Sequence, residues 1–407
     1  MRDLDAWEVS SRRKTRSVAI VAVSLVIVAG VALSRVHLGL PSGPGVRPGV
    51  ASKPSPTPNA TASPGRSSAL GQPIDVQFLS RTTGWVFTTN RGSTGAAGLF
   101  RTRDGGGTWT LLYEGPPGRF HFFDTEHGYV TGLGTLVTAD GGATWRSFPS
   151  EPGDGTGTKQ FAVGSPTDAL ALVSAPANGG ETALRLYRTV DGGGTWNLLL
   201  SGTPDAFGLT AADLPHLLVG YSPPGLAWIS AFSLAPETQP IVVSRDGGAT
   251  WARVPLSAPR AGLLGFAPFL SAAGGELTAL VTWVPADSVV RGPNGSLGFS
   301  LPVTGPTYVY GLGPGGWSAT VLPSVAGGFS TLTADAVGSE WVAVGATVCH
   351  AMAGLLSCHQ NSPAEPQALQ FLQRVDGDLF AVDVGTQSIV TSADGGNHWT
   401  LVPKPRN

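Results

Sequence analysis

Five copies of one short acidic motif are the residues of this sequence whose types and spacing could do chemistry. Each copy runs Asp-Gly-Gly, two further residues and Trp. A carboxylate could act in catalysis, but catalysis does not need the same group five times, and calcium takes several oxygen ligands where each motif offers one carboxylate. We therefore predict a structural role for the five pairs, which are Asp104 and Trp109, Asp140 and Trp145, Asp191 and Trp196, Asp246 and Trp251, and Asp394 and Trp399.

The residue types of this motif suit a tight turn between two strands. A short Asp side chain accepts hydrogen bonds from backbone N–H groups one or two residues on, the glycines adopt positive φ, and the Trp packs on neighbouring strands. Strand-like residues precede each motif, and a short strand such as TLL or RSF follows it. The motif therefore predicts a β-hairpin that is repeated along the chain.

Two cysteines with adjacent histidines form a second group. Cys349-His350 and Cys358-His359 enclose a short segment that contains Met352. In an exported protein, two such cysteines most simply form a disulfide that closes a hairpin or loop. A zinc or copper site built from the thiolates, the imidazoles and Met352 is the alternative, because soft metals prefer these ligands, and free thiols are a third. We predict the disulfide, no metal site and no cofactor.

No other group of residues has a catalytic pattern. The sequence lacks His-Glu-x-x-His, Gly-x-Ser-x-Gly and a phosphate-binding glycine loop. Glu126, Glu181, Glu276 and Asp376 show no pairing of the kind that glycoside hydrolysis requires. Solvated surface charge is the predicted role of five arginines, Arg101, Arg103, Arg119, Arg185 and Arg188. We predict no catalytic residue, and the sequence identifies no binding residue.

The composition indicates many short strands joined by turns. The chain of 407 residues has 57 Gly, 33 Pro and 11 Trp, and only 13% of its residues are charged, which predicts an all-β fold. An apolar strand recurs beside the acidic motifs, and we interpret it as the innermost strand of each repeat. It lies near Trp85, Tyr129, Trp228, Trp283, Trp341 and Phe380.

The repeats predict a single β-propeller of about seven four-stranded blades, with six as the alternative. The interval between Asp246 and Asp394 has room for two blades without the acidic motif, and the segment around Trp317 resembles a decayed copy that kept its Trp. The predicted blades are 74–113, 119–149, 158–200, 207–256, 261–323, 327–365 and 367–403.

Two segments resemble a known class of repeat. HGYVTGLGTLVTADGGATW from His127 and VGTQSIVTSADGGNHW from Val384 are similar to blades of the Asp-box, or bacterial neuraminidase repeat, propellers, and among them to photosystem II assembly-factor-like propellers. The resemblance covers nearly all of 74–403 and implies the propeller fold. It does not imply one activity, because sialidases, xyloglucanases, sortilin-type receptors and assembly factors share the repeat. The Arg-Ile-Pro segment of the similar sialidases is absent.

The N-terminal part predicts a membrane anchor. An uncharged stretch, 17–34, is long enough to span a bilayer, and the basic residues Arg12, Arg13, Lys14 and Arg16 before it place 1–16 in the cytoplasm. A cleaved signal peptide is the alternative. The segment 35–73 is rich in Pro, Ser and Gly and predicts a disordered linker to the propeller domain, 74–407.

These features predict an extracytoplasmic propeller, single-pass in the cell membrane, that acts as a non-catalytic protein-binding or assembly scaffold. The expected partner is a protein of the envelope or membrane, with a glycan as the alternative, and the insertions 151–183 and 284–307 are expected to contact it. A carbohydrate-binding or glycoside-hydrolysing, sialidase-like propeller is the alternative function. Nucleic acid is not an expected partner, because the net charge is −2 and no basic run lies outside the N-terminus. The sequence leaves the oligomeric state open.

Overall fold

The computed structural model describes one part of the chain, residues 71–402 with interruptions. The interruptions are 90–96, 117, 132–133, 149, 151, 154–156, 177–181, 208, 210–216, 232–237, 274, 292–296, 300–304, 323–329, 335–339 and 353–354. The predicted cytoplasmic segment, membrane helix and nearly all of the linker therefore lie outside the described residues.

The described chain begins with four antiparallel sheets of four strands each. Blade 1 comprises β1 (Gln72–Phe78), β2 (Gly84–Thr89), β3 (Ala97–Thr102) and β4 (Thr110–Gly115). Blade 2 comprises β5 (Phe120–Phe122), β6 (Gly128–Thr131), β7 (Thr135–Thr138) and β8 (Arg146–Ser147). Blade 3 comprises β9 (Thr158–Val163), β10 (Ala169–Pro176), β11 (Thr182–Thr189) and β12 (Asn197–Gly202). Blade 4 comprises β13 (Leu217–Ser222), β14 (Leu226–Ala231), β16 (Ile241–Ser244) and β17 (Ala252–Arg253), beside the short pair β15 (Thr238–Gln239) and β18 (Leu256–Ser257).

Three further four-stranded sheets complete the series. Blade 5 comprises β19 (Leu263–Ala273), β20 (Glu276–Pro285), β23 (Thr307–Gly313) and β24 (Gly316–Val321), with an inserted hairpin of β21 (Val289–Arg291) and β22 (Leu297–Phe299). Blade 6 comprises β25 (Ser330–Ala334), β26 (Glu340–Val344), β27 (Thr347–Met352) and β28 (Leu355–Gln360). Blade 7 comprises β29 (Leu369–Val375), β30 (Asp378–Asp383), β31 (Ser388–Ser392) and β32 (Thr400–Leu401). The protein is a seven-bladed all-β propeller, so the sequence-based fold class and the count of seven are confirmed, and the alternative of six blades is wrong.

The strand order within a blade corrects one prediction. The first strands of successive blades contact one another, as β9 does β13 and β25 does β29, so the first strand of each sheet lines the central channel. The recurrent apolar strands are instead the second strands, such as β2 with Trp85, Val86 and Phe87 all buried. A second strand has a neighbouring strand on each side and a neighbouring blade on each face, and its central residues are therefore apolar on both faces.

The hydrophobic core consists of seven clusters, each of which joins two neighbouring blades. Trp85 of blade 1 stacks on Phe122 of blade 2 with ring centroids 4.0 Å apart. Phe78 of blade 1 stacks in the same way on Phe380 of blade 7 at 4.2 Å. The remaining five clusters join blades 2 and 3, 3 and 4, 4 and 5, 5 and 6, and 6 and 7. Burial of apolar area between blades is therefore what closes the ring.

The ring closes without exchange of strands between the two ends of the domain. All four strands of blade 1 come from the first part of the domain, and all four of blade 7 come from the last part. The two blades meet through side chains: the Gln373 amide donates to the Val76 carbonyl and accepts from the Phe78 N–H at 2.8 Å. Arg81 and Asp378 form an ion pair at 2.7 Å on the same seam.

The antiparallel sheets give the propeller two different faces. Connections from first to second and from third to fourth strands lie at one end of each blade, which we call the turn face. Backbone hydrogen bonds join these connections, for example Gly105 N to Thr82 O at 2.9 Å and Gly192 N to Thr167 O at 2.9 Å. Connections from second to third strands and from blade to blade lie at the opposite end, which we call the loop face.

Candidate functional site

All five acidic motifs form hairpin turns on the turn face, between the third and fourth strands of blades 1, 2, 3, 4 and 7. In blade 1, Asp104 Oδ1 accepts from the Thr108 N–H at 2.8 Å and from the Thr102 hydroxyl at 2.8 Å. Asp104 Oδ2 accepts from the Thr108 hydroxyl at 2.7 Å. The same bonds, with a ring nitrogen in place of the second hydroxyl in blade 7, recur at Asp140, Asp191, Asp246 and Asp394.

The bonding pattern of these turns differs from the predicted one. The Asp carboxylate accepts from an N–H four residues on rather than one or two residues on. The reason is that both glycines have positive φ, 71° at Gly105 and 99° at Gly106, which reverses the direction of the chain. The Gly106 N–H is bound instead by the Thr102 hydroxyl at 2.8 Å. A Ser or Thr two residues before each Asp was the sequence feature that could have revealed this second acceptor. These hydrogen bonds hold the pKa of the Asp104 carboxyl below its usual range.

The Trp of each turn packs on the preceding blade. Trp145 Nε1 donates to the Leu112 carbonyl of blade 1 at 3.0 Å, and Trp196 Nε1 donates to the Ser150 carbonyl at 3.0 Å. Trp317, in the segment without an Asp, donates to the Val254 carbonyl of blade 4 at 2.7 Å. Trp109, Trp251 and Trp399 pack in the clusters shared with blades 7, 3 and 6. Both oxygens of each of the five carboxylates accept hydrogen bonds within their own turn. The turns therefore leave few acceptor atoms for a ligand.

The two cysteines bond to each other in blade 6. Cys349 on β27 and Cys358 on β28 lie directly opposite each other, and their S–S distance is 2.13 Å. The neighbouring histidines face other partners: His350 stacks on Trp341 with centroids 4.2 Å apart, and His359 Nε2 lies 2.8 Å from the Gly396 carbonyl. Within the described residues, no three His, Cys, Asp or Glu side chains are grouped so that they could hold a metal ion.

Two of the arginines predicted to be surface charges are not. Arg101 is only 8% exposed; its guanidinium lies 5.1 Å from the Trp85 ring centroid. Arg188 forms a bidentate ion pair with Asp168, both bonds 2.9 Å, and also donates to the Tyr221 hydroxyl at 2.9 Å. Both arginines sit on the third strand directly before an acidic turn and pack under the turn of the next blade. The burial of these two arginines depends on contacts with the next blade, which cannot be read from the sequence of one strand.

Two polar residues of β1, Asp75 and Gln77, lie at the channel where blades 1 and 2 adjoin. The Gln77 side chain of β1 donates to the Phe122 carbonyl at 2.8 Å and accepts from the Phe122 N–H at 2.7 Å. First strands of successive blades run in the same direction, so Asp75, two residues before Gln77 on the same side of β1, lies level with Phe120. Arg119 directly precedes Phe120. The Gln77 clamp thereby brings Asp75 close enough to Arg119 for the arginine charge to oppose the rise in the pKa of Asp75.

His121 and Tyr129 lie on the face of blade 2 that packs against blade 3, since Tyr129 belongs to the core cluster of those two blades. We call Asp75, Arg119, His121 and Tyr129 the channel cluster, because the charges of Asp75 and Arg119 both act on Tyr129. His121 and Tyr129 are directly paired across β5 and β6, with ring centroids 6.1 Å apart. Arg119 is held at the end of β6, where its carbonyl accepts from the Thr131 N–H at 2.7 Å. Because β6 runs toward the loop face, Arg119 lies at the loop-face end of β5, whereas His121 and Tyr129 lie closer to the turn face.

Burial and charge shape the electrostatics of the channel cluster. Burial raises the pKa of Asp75 to about 7, against the opposing effect of the Arg119 charge, although Asp75 keeps partial solvent exposure. Burial also raises the pKa of Tyr129 to about 12 and lowers the pKa of His121, which is itself exposed to solvent. At neutral pH the cluster offers one cation, an acid near its midpoint, a neutral imidazole and a phenol.

The sequence analysis missed this site. Arg119 was considered only as a surface charge, and Asp75, His121 and Tyr129 were not grouped. The four residues share no sequence motif and come from two blades. One signal was available: Asp75 and Gln77 are polar residues that alternate with Val76 and Phe78 in the first strand of the domain. Such alternation is typical of a strand with one face on the core and one on a polar space.

No helix among the described residues has the length and the hydrophobicity needed to cross a bilayer.

The fold is a seven-bladed propeller in which polar residues such as Asp75 and Gln77 lie on a channel strand. No protein-family model matches the chain, and no curated protein matches it. Among solved structures, "YCF48 bound to D1 peptide" is 19% identical and covers 77% of this chain and 90% of that chain, with a TM-score of 0.44. "Crystal structure of puromycin hydrolase" is 14% identical and covers 83% of this chain and 54% of that chain, with a TM-score of 0.53. "Crystal structure of polysaccharide lyase Uly1" is 10% identical over 86% and 93%, with a TM-score of 0.46. At these identities the likeness concerns the fold alone.

Proposed function

We propose that this chain is a membrane-anchored, extracytoplasmic propeller that binds a protein partner at its loop face as a non-catalytic scaffold. The observation that carries the proposal is Arg119, an exposed arginine at the loop-face end of the channel strand β5. The same face bears the long connections of the propeller. A rigid scaffold that presents loops around a polar mouth is a common arrangement for recognition.

The insertions expected to contact a partner belong to this face. Segment 151–183 includes the connection from blade 2 to blade 3 and the one from β10 to β11, both of which lie at the loop face. Segment 284–307 lies between β20 and β23 of blade 5 and contains the β21–β22 hairpin. The partner would therefore cover the mouth and the loops together.

The proposed location rests on sequence and on one structural feature. The apolar segment 17–34 and the basic residues before it favour a cytoplasmic N-terminus and an exported propeller. The Cys349–Cys358 disulfide suits an oxidising compartment. Tagging the full chain at its C-terminus and treating intact cells with a protease tests this location: degradation of the tag without lysis supports it, and protection of the tag contradicts it.

The binding function is tested by cross-linking the full chain in native membranes, followed by affinity purification and quantitative mass spectrometry. We expect reproducible enrichment of one membrane or envelope protein, with enrichment lost in Arg119→Gln. Arg146→Gln is the matched control, because Arg146 is an exposed arginine of β8 near the turn face. Equal enrichment by the parent chain and Arg119→Gln would show that the partner does not use the mouth.

A glycan ligand is the second candidate, and the composition of the channel cluster favours it. Arg119 and Asp75 supply a cation and a carboxyl near the aromatic rings of His121 and Tyr129, and polar groups beside aromatic side chains are typical of ligand sites. The test incubates the purified full chain with envelope glycans and measures both binding and new chain ends. Binding or cleavage that Arg119→Gln abolishes, with no enriched protein, would replace the scaffold proposal.

A further inference from the structure

The turn of blade 7 packs on a different kind of residue from the turns of blades 2, 3 and 4. In those three blades the second glycine of the turn contacts an apolar side chain of the preceding blade. The pairs are Gly142 with Leu112, Gly193 with Phe148 and Gly248 with Leu199. In blade 7 the second glycine, Gly396, contacts His359 of β28, whose Nε2 lies 2.8 Å from the Gly396 carbonyl. A titratable side chain therefore replaces an apolar one at this contact.

The two Cys-His pairs of blade 6 direct their histidines to blade 7. Both cysteines belong to the cluster shared with blade 5, and successive side chains of a strand alternate between its faces, so His350 and His359 point to the opposite side. His350 stacks on Trp341, which lies against Gly395 of the blade 7 turn. With His398 inside the turn, three of the seven histidines of the chain surround this one turn.

We propose that His350, His359 and His398 make the interface between blades 6 and 7 a pH-sensitive latch, which is closed when these imidazoles are protonated and loosens as they lose their protons. Blade 7 is the part that loosens, because no chain connection joins it to blade 1 on its other side. The latch is a property of the ring itself and does not depend on the partner or on the channel cluster.

Protonation strengthens the two hydrogen bonds of the latch. The charged imidazole of His359 donates a stronger hydrogen bond to the Gly396 carbonyl than the neutral ring does. His398 gains the attraction of the Asp394 carboxylate, whose Oδ2 lies 2.6 Å from its Nδ1, and this hydrogen bond and charge raise the pKa of His398 above 6.5. Its contribution is therefore complete below about pH 6.5 and is lost as pH rises through the raised pKa. Because His398 is largely exposed, this contribution alone is small, and the half-buried His359 carries more of the effect.

His350 occupies the position that Arg101 has in blade 1. Arg101 is paired with Trp85 of the second strand and His350 with Trp341, and each lies over the ring of its tryptophan. Arg101 Nε and His350 Nε2 are both buried without a hydrogen-bond partner among the described residues. The position thus accepts a permanent cation in blade 1, and a protonated imidazole is attracted to the face of an indole in the same way.

The other charged groups near the latch favour the protonated state or do not titrate near neutral pH. Glu365, in the connection between blades 6 and 7, accepts from the Trp399 N–H at 2.9 Å, and its charge also favours protonated His398. Arg374 follows Gln373, which points to blade 1, so it points to blade 6, and an arginine keeps its charge in this range. The remaining carboxylates of blade 7 bond elsewhere, Asp376 and Asp378 to Arg81 of blade 1 and Asp383 to its own turn.

The test measures amide hydrogen exchange of the full chain at about pH 6 and about pH 8 by mass spectrometry, with each rate corrected for the pH dependence of the chemical exchange. We expect the protection of β27, β28 and the blade 7 turn to fall at least about threefold between the two pH values, since protons that bind the closed state more tightly stabilise it. Protection in β10 and β11 of blade 3 should not change.

Three substitutions introduce the residues that the chain itself uses at the corresponding positions. They are His350→Arg as Arg101 in blade 1, His359→Leu as Leu199 in blade 3, and His398→Thr as Thr250 in blade 4. The combined variant should keep the interface closed at both pH values. His127→Gln, which changes a histidine paired with Asp124 in blade 2, is the matched control and should keep the pH dependence of the parent chain.

Three outcomes would each overturn the latch: equal protection at both pH values in the parent chain, higher protection at the higher pH, or an undiminished pH dependence in the combined variant. If the combined variant does not fold, His359→Leu alone decides. A smaller fall in protection in this variant supports the latch, and a fall as large as that of the parent chain overturns it.

Discussion

His398 is the residue at which the turn of blade 7 departs from the other four. It occupies the position of Thr108, Thr144, Thr195 and Thr250, and its Nδ1 lies 2.6 Å from Asp394 Oδ2, where the others place a hydroxyl. A threonine hydroxyl donates a hydrogen bond to the carboxylate at every pH. The interaction of an imidazole with the carboxylate is strong chiefly when the imidazole is protonated. This turn alone among the five therefore depends on protonation near neutrality.

The titration of His398 should show this dependence. Hydrogen bonding and the charge of Asp394 raise the pKa of His398 above its ordinary 6.5. Its contribution to stability is then complete below about pH 6.5 and is lost as pH rises through the raised pKa. We expect an NMR titration midpoint above 6.5 that is absent in His398→Thr. A midpoint at or below 6.5 would contradict the pairing.

At the scale of the element, the hydroxyl of the Ser or Thr two residues before each Asp stabilises the turn through hydrogen bonds. Thr138, which is 5% exposed, donates to Asp140 and accepts from the Gly142 N–H, both at 2.8 Å. Removing the hydroxyl leaves a buried N–H without an acceptor, which costs about 1–3 kcal/mol.

Thr138→Val should therefore lower the free energy of unfolding by about 1–3 kcal/mol, although it preserves the shape of the side chain. Thr138→Ser retains the hydroxyl and is the matched control, with an expected change of less than about 1 kcal/mol. Chemical denaturation of both variants measures the difference. If serine and valine are equally destabilising, the lost interaction is methyl packing rather than the hydrogen bonds.

Blade 6 lacks the acidic turn and has the disulfide instead. Cys349 and Cys358 join β27 and β28, the third and fourth strands, which the Asp and Trp residues hold together in five of the other blades. The disulfide joins residues with a sequence separation of 9. This closed loop lowers the conformational entropy of the unfolded chain and so raises the free energy of unfolding by about 2–3 kcal/mol.

Reduction should therefore lower the melting temperature of the parent chain. The double variant Cys349→Ala with Cys358→Ala should start at the lower melting temperature and should not respond to reductant. Scanning calorimetry with and without dithiothreitol measures both. An unchanged melting temperature on full reduction would show that blade 6 is stabilised by packing alone.

For the whole molecule, the seam between blades 7 and 1 is the interface that no chain connection spans. Gln373 bonds to the Val76 and Phe78 backbone there, and Gln77 makes the equivalent bonds to Phe122 between blades 1 and 2. The two clamps use the same side chain and the same kind of acceptor and donor. They differ in that blades 1 and 2 are also tethered by the chain.

Gln373→Leu should loosen the seam more than Gln77→Leu loosens its own interface. We expect faster amide hydrogen exchange in β1 and β29 of Gln373→Leu and a loss of about 1–3 kcal/mol in local stability. Gln77→Leu is the matched control and should leave β29 protected. Unchanged exchange in β1 and β29 of Gln373→Leu would indicate that the apolar contacts around Phe78 and Phe380 close the ring without the clamp.

The sequence predicted the propeller because its signals are local and repeated. The Asp-Gly-Gly turns and the apolar strands near Trp85 and Trp341 recur at blade intervals, so seven blades could be counted without any long-range contact. The order of strands was predicted less well, since hydrophobicity alone does not distinguish an inner strand from a central one. The inner position belongs to the more polar first strands.

The candidate site could not be predicted in the same way. Asp75 and Arg119 lie in different blades, and the Gln77 clamp that aligns them has no repeated motif. The raised pKa of Asp75 comes from burial in the assembled ring, which is a property of neighbouring blades rather than of β1. A site that forms between repeats therefore cannot be recognised from the repeat motif itself.

The absence of strand exchange at the seam bears on how the molecule is made. Each blade consists of four strands that follow one another along the chain, so a ribosome releases every blade as a finished unit before it starts the next. Local contacts form quickly, and domains fold from the N-terminal side during synthesis. Blade 1 must therefore wait with the apolar face around Phe78 uncovered until blade 7 arrives, and this waiting period is when the nascent chain most needs protection from aggregation.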